Sequence, residues 1–99
     1  MRITPRQHAA IVEATREIFG DQSSVRLFGS RADDSAMGGD IDLHVRIRGV
    51  DAQRQEKSRL LSARICAKLG EVLPIDVVVK DDETADGLIH REGMKGVLL

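Results

Sequence analysis

Apolar positions follow a helical period in the first part of the chain. Ile11, Val12, Thr15, Ile18 and Phe19 fall on one face over residues 5–19. The start has helical grammar: Thr4 can cap, Pro5 suits the first helical position and Gln7 completes a capping box. Gly20 is placed to stop the helix. The pattern then shortens. Residues 25–28 read as a brief strand closed by Gly29. Over residues 40–47, Ile41, Leu43, Val45 and Ile47 alternate with Asp40, Asp42, His44 and Arg46, which predicts a second strand. From Asp51 the chain turns charged and helical, with Leu61, Ile65 and Leu69 as its apolar stripe, Leu60 beside them and Gly70 as its stop. Residues 72–80 contain a third strand, "PIDVVVK". A short helix is predicted over residues 84–92, with Leu88 and Ile89 facing inward and Gly93 ending it, and "GVLL" can form a last strand.

Together these elements predict an α/β (α+β) domain, a small mixed sheet with helices packed on it. The first two strands can pair antiparallel across residues 30–39. The third follows a helical crossover, which permits parallel pairing with the second. With 99 residues the chain is read as one domain, residues 1–99.

Composition narrows the function. A net charge of -1 supplies no basic excess for gripping a phosphate backbone, so general nucleic-acid binding is disfavoured. Phe19 and Phe28 are the only aromatic residues, too few for a base-stacking platform. Cys66 is the single cysteine, so no intrachain disulfide can form, which suits a reducing cytoplasm. The first residues lack the apolar core of a secretory signal, and no apolar run approaches a membrane span.

Acids interrupt the strand patterns. Aspartate is depleted in strands, yet Asp40 and Asp42 flank Ile41 and Asp76 follows Ile75. Strand period places Asp40 and Asp42 on one face, roughly 6–7 Å apart. Asp76 can join them if the third strand lies beside the second. Solvated acids on an exposed face would account for Asp-x-Asp alone. Three converging carboxylates would instead repel one another, and a divalent cation would relieve that repulsion. Mg²⁺ takes one or two carboxylates together with phosphate oxygens. Two such ions roughly 4 Å apart can clamp the attacking and leaving oxygens of an in-line displacement.

Upstream, Gly29 and Ser30 close the first strand, and Ser30-Arg31-Ala32 can begin a helical turn. Glycine admits close approach of a ligand to the backbone, and free N–H groups at a helix start suit phosphate. Ser30 adds a hydroxyl and Arg31 a positive charge.

In combination, Gly29-Ser30, nine residues, Asp40-Ile41-Asp42-Leu43, and Asp76 on a later strand resemble the nucleotidyltransferase superfamily of DNA polymerase β. The local form "FGSRA…GDIDL" is most similar to the minimal nucleotidyltransferases, small proteins often paired with HEPN toxins. Relatives often carry Ser-Asp before the Asp-x-Asp, where this chain has Gly38-Gly39. The resemblance implies that Asp40 and Asp42 bind metals, that Asp76 is the third carboxylate and helps activate the acceptor hydroxyl, and that Gly29, Ser30 and Arg31 hold the triphosphate. It implies Mg²⁺, as two ions, and transfer of a nucleoside monophosphate from an NTP, with ATP the expected donor, to a hydroxyl. The implied acceptor is a HEPN-type toxin, with this chain as its antitoxin. Alternatives of the same fold are a non-catalytic antitoxin that binds its partner, and a small-molecule adenylyltransferase. Larger members carry a further domain for the acceptor; this length leaves none, so a partner chain or a second copy (a homo-oligomer) is expected to complete the site.

Other residues are read more plainly. His44 shares the face of Asp40 and Asp42 and is expected to be a polar residue away from the metals. His8 and His90 suggest no metal site, and Cys66 is expected to pack. Asp33 and Asp34 read as solvated loop acids, and residues 53–59 as a solvent-facing helix surface.

Overall fold

The computed structural model describes residues 2–33 and 39–99. Helix α1 (Pro5–Phe19) starts where the capping box places it: the Thr4 hydroxyl accepts from the Gln7 N–H, and the Gln7 side chain accepts from the Thr4 N–H. Strand β1 (Ser24–Phe28) runs into a 3₁₀ turn, Gly29–Ala32. Strand β2 (Ile41–Arg46), helix α2 (Arg54–Leu69) and strand β3 (Ile75–Lys80) follow, then helix α3 (Leu88–Met94) and strand β4 (Val97–Leu98). The sheet order is β3-β2-β1-β4. β1 pairs antiparallel with β2 and β4, and β2 pairs parallel with β3. No helix among the described residues is long and apolar enough to cross a membrane.

The two faces of the sheet differ. On one face Leu27, Ile41, Leu43 and Val45 are buried with Ala10, Ile11 and Ala14 of α1 and Leu61 and Ile65 of α2, and this forms the core. Cys66 is half-buried on α2, and its sulfur accepts from the Leu73 N–H at 3.4 Å. The opposite face carries three rows set by the strand register: Ser24, Arg46 and Lys80; Arg26, His44 and Val78; Phe28, Asp42 and Asp76. α3 covers the middle row.

α3 docks differently from its apolar pattern. Leu88 is 74% exposed and Ile89 48% exposed, so neither faces inward. Gly93 lies inside the helix and is buried, with its Cα against the His44 imidazole; a Cβ there would overlap the ring. The helix therefore meets the sheet through Gly93 and His90, because the surface beneath it is a histidine and not a hydrophobic patch. His44 is fully buried, and its Nε2 lies 3.1 Å from Nδ1 of His90. Burial, reinforced by His90, Arg26, Lys80 and Arg46, depresses the His44 pKa to about 4, so the ring is neutral at neutral pH and one N–H joins the pair.

A buried acid secures the join of β3 and α2. Asp81 accepts from the Asp51 N–H, the Glu83 and Thr84 N–H groups, the Thr84 hydroxyl and Arg54. The Thr84 hydroxyl bond, with those backbone donors, holds its carboxyl down to about pKa 2 despite burial.

Candidate active site

The end of the sheet beside the Gly29–Ala32 turn gathers the residues singled out in the sequence. Gly29 takes a left-handed backbone, φ +73°, which turns the chain sharply off β1. The space a side chain would fill is occupied by the Asp42 carboxylate: a Cβ on Gly29 would overlap its Oδ2 and lie 3.2 Å from its Cγ. Ser30 follows in the turn, and its hydroxyl packs against Gly39 in the same way.

Asp42 sits within β2, directly opposite Asp76 of β3 in the parallel register. Register partners point to the same face, so the two carboxylates share the open side of the sheet. Asp40 is exposed and lies just before β2, not within it. The ladder begins one residue later, where the Ile41 N–H donates to the Pro74 carbonyl at 2.9 Å. Burial raises the Asp42 pKa, and the charges of Asp76 and Asp40 raise it further. Asp76 and Asp40 thus both act on Asp42.

No hydrogen bond or ion pair links Asp40, Asp42 or Asp76 to another side chain among the described residues. At the far end of the same face Arg46 bonds Asp82 at 2.9 Å and Lys80 pairs with Asp86 at 3.1 Å, while Arg26 of the middle row donates to the Gly96 carbonyl at 3.2 Å. Net negative charge is therefore left at one end of the sheet. This fits a divalent cation. The described residues gather no preassembled cage of three metal-ligating side chains, and Mg²⁺ does not need one, since it keeps waters and takes phosphate oxygens beside one or two carboxylates.

Arg31 is turned to backbone. Its Nε donates to the Gly39 carbonyl at 3.2 Å and its Nη1 to the Arg2 carbonyl at 3.1 Å. Of the two loop acids, Asp33 closes the turn by donating its N–H to the Ser30 carbonyl, and Asp34 lies outside the described residues, as does Gly38. Arg2, His90 and Asp81 were not singled out in the sequence for what they do here. For Asp81 a local signal exists, since Asp-x-x-Thr after a strand is a turn that closes on its own side chain. For Arg2 and His90 the partners are remote in sequence, and no local pattern marks them.

A solved structure from Sulfolobus solfataricus, described as a "putative nucleotidyltransferase", shares 19% sequence identity over 83% of this chain and 79% of its own, with a TM-score of 0.43. No curated protein matches the sequence. A family model, the nucleotidyltransferase domain, matches residues 9–97. That span runs from α1 to β4 and holds every carboxylate and both turn residues described above, and by it the chain belongs to the nucleotidyltransferase domain family.

Proposed function

We propose that this protein transfers a nucleoside monophosphate, AMP from ATP, to a hydroxyl on a partner protein, a toxin of the HEPN type. The observation that carries the proposal is the pairing of Asp42 with Asp76 across the parallel register, without a cationic partner among the described residues. Asp40, Asp42 and Asp76 would hold two Mg²⁺ ions, which supply charge neutralisation at the phosphates when bound. Gly29 and Ser30 offer close backbone approach and a hydroxyl to the triphosphate. Asp76, exposed on the edge strand, would take the proton of the acceptor hydroxyl. The acceptor oxygen bonds to the α-phosphorus as its bond to the bridging oxygen breaks, and pyrophosphate leaves with that electron pair.

A protein acceptor is supported by apolar side chains that α3 and β4 leave exposed. α3 and β4 expose Leu88, Ile89, Met94, Val97 and Leu98. Clustered exposed apolar residues mark surfaces that meet another chain.

The test incubates the protein with α-labelled ATP, Mg²⁺ and the product of the neighbouring gene. Label should pass to the partner, pyrophosphate should be released, and Asp42→Asn should reduce transfer by at least about 100-fold. Tight binding to the partner with no label transferred would replace transfer with steric neutralisation.

A further inference from the structure

We infer that Arg31 acts together with Arg2 as a pair of positioning residues that lock the Gly-Ser turn to the lead-in of β2, fixing the spacing between Ser30 and Asp40. The inference rests on the nucleotidyl-transfer reading of the site. It assigns Arg31 a role through the backbone in place of direct contact with phosphate, and it brings Arg2 into the site's machinery.

The bonds are reciprocal. The Arg2 N–H donates to the Arg31 carbonyl at 2.7 Å, and Arg31 Nη1 donates back to the Arg2 carbonyl at 3.1 Å. Arg2 Nη2 donates to the Ser30 carbonyl at 3.0 Å, and its Nε to the Asp33 carbonyl at 3.3 Å. Arg31 Nε reaches the Gly39 carbonyl at 3.2 Å. Gly39 is joined directly to Asp40, and the Ser30 hydroxyl packs on Gly39. The two guanidinium groups thus span the phosphate turn, the N-terminal segment and the residue that sets the first aspartate.

The turn needs such a lock. None of its four residues is buried, and no side chain caps its start. Its apolar anchorage is limited to Ala32, with Ile3 of the N-terminal segment, both partly buried against the core. Hydrophobic packing therefore does little to fix the turn, and directional bonds must. Guanidinium suits this task because its donors lie in one plane at fixed angles, so two carbonyl acceptors determine its orientation. A lysine ammonium has no such fork and cannot reproduce the same pair of bonds from one rigid plane.

The experiment measures Mg²⁺-ATP affinity and the half-saturating Mg²⁺ concentration for the full chain and its variants, at a temperature where thermal unfolding shows each to be folded. Arg2→Ala and Arg31→Ala should each weaken ATP binding by about 10- to 100-fold, the range that small misplacement produces. Both should raise the Mg²⁺ requirement, because Asp40 moves with Gly39. The double variant should be little worse than either single one, as expected of two residues acting as a unit. Arg31→Lys should stay weakened despite its charge. Rescue by Arg31→Lys, together with unchanged affinity in Arg2→Ala, would show direct phosphate contact and overturn the inference. Weakened binding in Ser30→Ala and Asp42→Asn with unchanged binding in both arginine variants would also overturn it, while leaving the site reading intact. Unchanged binding in all four would overturn the site reading and the lock with it.

Discussion

A side chain at position 29 would have to occupy the place of the Asp42 carboxylate. The backbone there, at φ +73°, already disfavours any residue with a Cβ. Gly29→Ala should cost about 1–2 kcal/mol from backbone strain alone, visible as a lower unfolding midpoint in urea. Its effect on nucleotidyl transfer should be larger than its effect on folding, because the displaced group is the acid opposite Asp76. Asp42 itself carries a stability cost. Its folded pKa is raised, by burial first and by Asp76 and Asp40 next, so its ionised form is disfavoured in the fold. Above the raised pKa the folded state bears that cost; as pH falls towards the ordinary value of 3.8 the carboxyl protonates and the cost disappears. Asp42→Asn should therefore raise Tm at pH 7 in metal-free buffer, and the gain over the unsubstituted protein should close as pH approaches 4. Thermal unfolding followed by circular dichroism across pH 4–8 reads this directly. No difference between the two at pH 7 would mean that the neighbouring acids do not act on Asp42.

At the scale of elements, α3 shows where sequence patterning and packing part company. α1 and β2 are legible because their signals are local. Thr4 and Gln7 bond each other three residues apart, and Ile41, Leu43 and Val45 alternate onto the core. Gly29-Ser30 and Asp40-Ile41-Asp42 are local patterns of the same kind, whereas Asp76 meets Asp42 only through the parallel pairing of β3 with β2. α3 offers Leu88 and Ile89 as its apolar pair, yet they are exposed, since the surface it meets is already occupied by His44. The residue that docks it is Gly93, which reads in sequence as a stop and works in the fold as a gap. Gly93→Ala would gain up to about 1 kcal/mol of helix propensity. Against that stands overlap with a fully buried imidazole, and overpacking costs about 1–3 kcal/mol. Overlap should win, because the obstructing atoms include the His44 Cβ, which rotation of the ring cannot remove. Gly93→Ala should lower Tm by several degrees, at roughly 4–8 °C per kcal/mol for a domain of this size. Gly93→Ala combined with His44→Ala should cost less than the sum of the two single changes. Strict additivity would show that α3 does not seat on His44.

Across the whole molecule, the open face of the sheet is divided by charge. Arg46 and Lys80 lie at one end with Asp82 and Asp86 as partners. Asp42 and Asp76 lie at the other, and no side chain among the described residues pairs with them. The two charged rows are four residues apart along β2 and β3, with the His44 row between them, so the bases at one end do not neutralise the acids at the other. Leaving one end unbalanced is destabilising by itself and becomes favourable when a cation is bound. Stability and the proposed chemistry are linked through that imbalance, and the link can be measured without substrate. A ligand that binds the folded state adds RT ln(1 + [L]/Kd), about 1.4 kcal/mol at ten times Kd. Mg²⁺ should therefore raise the Tm of the unsubstituted protein by roughly 6–11 °C at that concentration, while Asp42→Asn, having lost a ligand, should respond little. Without Mg²⁺ the variant should be the more stable of the two, and with saturating Mg²⁺ the less stable. Reversal of the order is a stronger test than either shift alone, because a general salt effect would move both proteins together. The same titration with K⁺ at matched ionic strength separates screening of Asp42 and Asp76 from coordination: screening raises Tm with either salt, whereas coordination reverses the order only with the divalent ion.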